Sequence, residues 1–279
     1  MNAAFSILSI MAPLLLLTLG ALVSEYGGRL AMFMEHIINF SAFLCYTFSL
    51  LTGSVVSGVF LSLIVSTLSV FFLEQISSRL KANMFLVSLS MNLLFQASST
   101  FLSVLIFKTR GVLYSADFSF PAVHAKIITT IFCILFSLLL IFILKKTSLG
   151  LCLRICGSDS EVLRSQGMSP EKFKSLSWVI ASLAASFCGC TYCIRLSSFV
   201  PGMSGGRGWT ALAAVFLGRK HPSLAVVAAG VFAVSEYCSS NIQNIAIFAN
   251  IPSSILLALP YLVSLILILI VPQKKSKFF

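Results

Sequence analysis

Ser197-Ser-Phe-Val-Pro201-Gly-Met-Ser-Gly205-Gly206-Arg207-Gly208-Trp209 runs directly into Thr210-Ala-Leu-Ala-Ala-Val-Phe-Leu217-Gly218. Pro201, Gly202, Gly205, Gly206 and Gly208 crowd into eight residues and cannot hold a continuous helix. The stretch nevertheless lies between two long apolar runs, 175–196 and 222–240. Irregular backbone at membrane depth survives only where protein buries it or where it lines a wet cavity. The apolar residues from Trp209 to Gly218 are too few to cross a bilayer, which takes about 20, so they read as a half-helix. Its first N–H groups lack helical partners, and they and the positive dipole end would face solute oxygens. The plainer alternative is an extracellular loop followed by a membrane-dipping helix.

The rest of the chain agrees with a membrane setting. Of 279 residues, 58% are hydrophobic and 10% charged, and the mean hydropathy is +1.02. A soluble domain carries roughly 25% charged residues, so a water-soluble fold is excluded, and 25 Phe exclude disorder. Apolar runs read as helical spans near 5–23, 30–51, 54–73, 84–107, 125–144, 175–196, the broken 198–218, 222–240 and 254–271. The expected fold is therefore all-α: one polytopic bundle over 1–279, with about nine spans and discontinuous helices. No basic n-region precedes the first apolar run, so that run is expected to stay as a permanent span.

The net charge of +11 has a topological explanation, because cytoplasmic loops collect Lys and Arg. Segment 145–174 carries Lys145, Lys146, Arg154, Arg164, Lys172 and Lys174, and the tail carries Lys274, Lys275 and Lys277. Placing both in the cytoplasm brings Arg29, Arg79, Lys81, Arg219 and Lys220 to the same side. Lys108, Arg110, Lys126, Arg195 and Arg207 are left outside or buried. An odd number of spans then puts the N-terminus outside and the C-terminus in the cytoplasm. No aromatic-interleaved basic patch argues for nucleic acid.

Catalytic and metal chemistry finds little support. The chain has no GxxxxGK[ST], HExxH or GxSxG, and His36, His124 and His221 are scattered. Cys190-Thr-Tyr-Cys193 has CxxC spacing without a second pair or a flanking His, and most of the eight Cys lie in apolar runs as small hydrophobes. The expectation is a chain that is not an enzyme, with no cofactor or metal of its own.

The one sizeable hydrophilic segment, 145–174, contains Gly157-Ser-Asp159-Ser-Glu161-Val162-Leu163-Arg164-Ser-Gln-Gly167-Met-Ser-Pro170. Ser158 or Ser160 can cap a short helix whose first turn carries Asp159 and Glu161. Gly167 stands where a C-cap glycine belongs, and Pro170 can open the next helix. Val162 and Leu163 would be available to a partner. An ordinary solvated connection is the alternative, though the segment is long for one.

These residues resemble a known family. Gly150-Leu-Cys-Leu-Arg154-Ile-Cys-Gly157 through Gly167 looks like the coupling loop of ABC-importer membrane subunits. Glu161 to Gly167 follows that family's E-A-A-x-x-x-G spacing, with Val162 and Leu163 at the two alanines. Arg207-Gly208-Trp209-Thr-Ala-Leu-Ala-Ala-Val-Phe-Leu-Gly218-Arg219 resembles the G-R-G-[FW]-x-A-L-A-A-V-x-x-G-R signature of one branch. That branch holds permeases of nucleoside, simple-sugar and riboflavin importers, akin to ribose and branched-chain amino acid permeases. Ser24-Glu25-Tyr26-Gly27-Gly28 and Met34-Glu35 are similar to its S-E-R-x-G…N-I-x-L-E-G, with Tyr26, Ala31 and His36 departing from it.

The resemblance implies a bacterial inner-membrane permease that moves a nucleoside-like solute inward, or else riboflavin or a simple sugar. It implies cytoplasmic ATPase subunits that use the ATP, a second permease subunit (a copy or a relative) and an external substrate-binding protein. Arg154, Asp159, Glu161, Val162, Leu163, Arg164 and Gly167 would meet the ATPase. Glu35, His36, Asn39, Asn92, Gly205, Gly206, Arg207, Gly208 and Trp209 would line the solute path.

Gly27-Gly28 supplies a second break, entering from the cytoplasm where the other enters from outside, as inverted repeats would produce. Glu35 and Glu236 lie within spans, where a carboxylate costs about 2.5–3.5 kcal/mol, so both should face the bundle interior. Each is as readily a structural ion pair or a protonated hydrogen bond as a solute contact. The same Glu35 and His36 leave open a stand-alone ion-coupled transporter. Ala181, Ala185 and Gly189 form a small-residue ridge that predicts close helix packing.

Overall fold

The computed structural model describes residues 3–241 together with Leu262, Leu265 and Ile266. Apart from those three, the expected span 254–271 and the basic tail lie outside the described residues. The helices are α1 (Ala3–Tyr26), α2 (Met34–Thr52), α3 (Val55–Arg79), α4 (Met84–Phe107), α5 (Ala122–Lys146), α6 (Ser148–Ser158), α7 (Ser160–Ser165), α8 (Pro170–Leu196), α9 (Arg207–Leu217) and α10 (Pro222–Asn241). Among the described residues no strand forms, and the one β-type contact is the isolated pair Leu113–Phe199. Six helices (α1, α3, α4, α5, α8 and α10) are long and apolar enough to cross a membrane.

Helices α1, α2 and α8 form the interior, because each is apolar or small on nearly all faces. The Ala181, Ala185, Gly189 ridge lets α8 approach its neighbours at backbone distance. A Cβ on Gly189 would stand 2.2 Å from the Ile38 carbonyl oxygen, and one on Gly20 would stand 2.7 Å from Ala184 Cβ. Trp178, fully buried, packs edge-on against Phe33 at 5.1 Å. Helices α3, α4, α5 and α10 surround this core.

Pro13 lies inside α1 and has no N–H to give to the Ser9 carbonyl one turn back. Arg195 fills the gap: its Nη1 donates to Ser9 O at 2.7 Å, while Nε and Nη2 hold the hydroxyls of Thr129 and Thr130 at 2.8 and 2.9 Å. A cation in a span thus repairs a helix defect and ties α1, α5 and α8 together.

The bundle has two distinct ends. At one, Tyr26 donates its hydroxyl to Lys220 O at 2.7 Å, and Arg29 reaches Glu74 and Glu171. The α6–α7 segment lies at this end. At the other, Leu113 and Phe199 exchange backbone hydrogen bonds at 2.9 and 3.0 Å, and Phe120 N donates to Ser197 Oγ.

Candidate functional site: the junction of two helix starts

Both breaks exist, and the helices that follow them start beside one another. After α1 the chain turns through Gly28 at φ +73°, and α2 begins at Met34, about two turns in from the start of α4. Ser88 Oγ accepts from Met32 N at 2.7 Å and Asn92 Oδ1 accepts from His36 N at 3.1 Å. These two α4 side chains satisfy orphan donors at the start of α2. After α8, Gly202, Gly205 and Gly206 take φ of +78°, +53° and +79°, and α9 begins at Arg207. From this meeting point α2 runs toward the Leu113–Phe199 end and α9 toward the Tyr26–Lys220 end.

Glu35 joins them. Its buried carboxylate accepts from Ser204 Oγ at 2.5 Å, Gly206 N at 2.7 Å and Gly208 N at 2.7 Å. One turn along, Asn39 completes the hold, giving Nδ2–H to Ser204 Oγ at 2.8 Å and accepting from Ser204 N at 3.0 Å. Three donors and the positive end of α9 offset the desolvation of the charge. The expectation that these N–H groups stand unpaired, ready for solute, is corrected: Glu35 occupies them. Gly208 is glycine because a Cβ would fall 2.7 Å from Glu35 Cα.

The other predicted path residues divide into two sets. Arg207 pairs with Glu236 and lies 4.7 Å from the centre of the Tyr192 ring, so of the readings open for Glu236 the structure gives the ion pair. Trp209, 41% exposed, is on the outer side of α9. His36 and Asn39 face a cavity of about 280 Å³ whose wall also includes Gln96, Thr100, Arg110 and Phe199. Among the described residues, His36 Nδ1 is buried without a hydrogen-bond partner. A larger hollow of about 720 Å³ opens at the opposite end, beside Leu30, Met84, Phe85 and Gly157.

Gln96 and Thr100 are not among the expected path residues. Both are exposed residues of α4 in the cavity wall, Gln96 near the middle of the helix. The outer face of α5 differs: Ile131, Leu135, Leu138, Leu139 and Phe142, each more than half exposed, are all apolar. The exposed surface of α4 is otherwise mostly apolar as well, with Leu86, Leu93, Leu94, Phe101, Leu105 and Ile106, so Gln96 and Thr100 are a polar break in it, and a mid-span amide is poorly suited to lipid. The signal in the sequence is the spacing of Ser88, Asn92, Gln96 and Thr100, which puts four polar side chains on one helix stripe.

The hydrophilic segment folds as two helices where one was expected. Asp159 caps α7, accepting from Glu161 N at 2.9 Å, in place of Ser158 or Ser160. Gly167 takes φ +76°, and the bonds Gly167 N to Arg164 O and Met168 N to Leu163 O close the C-terminus in a Schellman arrangement. Pro170 opens α8. Val162 is exposed but Leu163 is fully buried, which corrects its availability to a partner. Glu161 and Arg164 are exposed. Arg154, exposed, folds back along its own segment, donating to Leu144 O and lying 5.4 Å from the Tyr26 ring centre. Cys156 is buried beneath, where burial pushes its thiol pKa up.

Comparison with known proteins adds the following. The family model described as branched-chain amino acid transport system / permease component matches residues 3–272. The guanosine ABC transporter permease protein NupQ of Bacillus subtilis (strain 168) is 24% identical over 91% of this chain and 87% of its own length. The nucleoside ABC transporter permease protein NupC of Lactococcus lactis subsp. cremoris (strain MG1363) is 22% identical over 92% of this chain and 87% of its own. Among solved structures, an inward-facing ABC transporter chain superposes with a TM-score of 0.57 at 19% identity, covering 95% of this chain and 84% of that one. That likeness concerns the fold alone.

Proposed function

Since the chain belongs to the branched-chain amino acid transport system / permease component family, on the nucleoside and sugar branch of ABC importer permeases, we propose that it carries a nucleoside-like solute inward. A separate cytoplasmic ATPase docking on α6–α7 drives it, and an external binding protein delivers the solute. The membrane is the inner membrane of a bacterium. The observation that carries this reading is the Glu35–Asn39 hold on the glycine loop, set between a polar cavity toward one end and a hollow at the other.

The cavity offers amide, hydroxyl, imidazole and guanidinium groups beside Phe199, and among the described residues no carboxylate lines it. This suits a neutral, polyhydroxylated solute with a ring system better than a bare cation. The path lies along the polar face of α4, with a second permease subunit closing its open side. Relaxing the Glu35 hold lets α9 move and joins cavity to hollow, which gives alternating access by a small shift of packed helices. An ion-coupled carrier would need an ionisable pair free to change state. Glu35 is instead committed to three donors.

The test is uptake by proteoliposomes holding the permease pair, its ATPase and the binding protein. ATP-dependent accumulation of guanosine, competed by other nucleosides and poorly by ribose or riboflavin, supports the reading. Uptake that persists without the ATPase contradicts it.

A further inference from the structure

The connection between α1 and α2 touches both the docking segment and the helix that carries Glu35. Gly157, in the last turn of α6, meets it backbone to backbone. A Cβ on Gly157 would lie 2.3 Å from the Tyr26 carbonyl oxygen and 3.1 Å from Gly28 N. A Cβ on Gly28 would lie 3.2 Å from Gly157 Cα. No flexible side chain separates the two segments, so a displacement of one passes to the other without slack.

The next residue fixes the connection to the rest of the bundle. Arg29 donates from Nη1 to Glu74 and from Nη2 to Glu171, each at 2.5 Å, and its carbonyl accepts from Trp178 Nε1 at 2.8 Å. Glu74, 1% exposed, also accepts from Ser175 Oγ. One guanidinium thus ties the connection to the end of α3 and to the start of α8, the helix into which the docking segment leads. Beyond Arg29 the chain reaches Met32, held by Ser88, and then Glu35. The contacts from α6 to the glycine loop are continuous: Gly157, Gly28, Arg29, the start of α2, Glu35, Gly206.

We propose that Gly28, Arg29 and Gly157 are positioning residues for transport, converting movement of the docked segment into movement of the α2 start and so loosening or tightening the Glu35 hold. The inference rests on the ATPase-docking reading given above. It predicts a specific failure, in which the motor stays attached and running while the solute is not carried.

The reconstituted transporter is compared as wild type, Gly157→Val, Arg29→Gln and Arg29→Lys. Three quantities are measured: ATPase co-purification, ATP hydrolysis and solute uptake. Arg29→Gln keeps the ATPase bound and hydrolysis near the wild-type rate, while uptake falls on the order of 10-fold or more; Gly157→Val, within the docking segment itself, also loses uptake. Arg29→Lys recovers part of the uptake, since it keeps the charge but not the fork that reaches two carboxylates at once. Should Gly157→Val fail to insert, the Arg29 pair decides alone. Loss of the ATPase from the Arg29 variants overturns the proposal and makes these residues supports of the docking surface. Hydrolysis and uptake falling in proportion, or uptake at the wild-type rate, also overturns it. A wild-type permease that retains no ATPase at all refutes the docking reading itself, a result distinct from these.

Discussion

The two chain breaks weigh room and backbone conformation differently in their glycines. At the α1–α2 connection, Gly157 of α6 leaves no room for a Cβ, Gly28 at φ +73° leaves only a tight 3.2 Å, and ion pairs of Arg29 hold the joint. In the loop before α9, Gly202 has nothing within 4 Å of where a Cβ would go, and Gly205 has only Arg207 Nη1 at 3.7 Å. What those two residues need is a positive φ, and what holds their loop is one carboxylate and one amide. The first break is a packed joint, and the second is a spacious loop on a latch. A joint transmits motion, whereas a latched loop can release it.

The comparison is tested hardest at Gly208, the one glycine of the second region that sits in a tight contact. Gly208→Val must push α9 off Glu35, and uptake should fall by about 100-fold or more, as a misplacement of about 1 Å does at a positioned site. Radiolabelled uptake checks this, with protein level as control. Wild-type transport would show that the latch is irrelevant.

Glu35→Gln comes next. The amide keeps one acceptor oxygen, so one of the two backbone N–H groups it serves loses its partner, at a cost of about 1–3 kcal/mol. Uptake should fall roughly 10-fold, and the thermal midpoint of the purified permease should drop with it. Unchanged melting together with unchanged uptake would break the contrast, because it would leave the loop with no latch.

Smaller effects separate conformation from room. Gly205→Ala meets open space but must hold φ +53°, which should cost on the order of 1 kcal/mol and reduce uptake only a few-fold. Gly167→Ala, also at positive φ in open space, should cost a similar amount and act through ATPase co-purification. If Gly205→Ala is as damaging as Gly208→Val, the second break is packed like the first.

Much of this arrangement is legible in the sequence, because it depends on local rules. Apolar run lengths place α1 to α5 and α8 to α10, and the crowding of Pro201, Gly202, Gly205, Gly206 and Gly208 marks the broken span. Gly167 and Pro170 announce a helix end and a helix start. What escapes a local reading is long-range pairing. Nothing near Glu35 in the chain says that its partners lie at Ser204, Gly206 and Gly208. Nothing near Arg195 points to the carbonyl that Pro13 leaves free. Leu163 and Val162 are adjacent and equally apolar, and only the packing of α7 decides that one is buried and the other exposed.

The central claim is that solute passes along the polar face of α4 beside the Glu35 latch, while α5 faces lipid. Thiol labelling of Thr100→Cys and Leu135→Cys tests it most directly, in a Cys238→Ser background that removes the exposed native thiol. The account predicts that a water-soluble maleimide modifies the Thr100→Cys protein, that guanosine with the binding protein and ATP slows this modification, and that Leu135→Cys does not react. Equal labelling at the two positions, or labelling at Thr100→Cys that transport conditions leave unchanged, would contradict it.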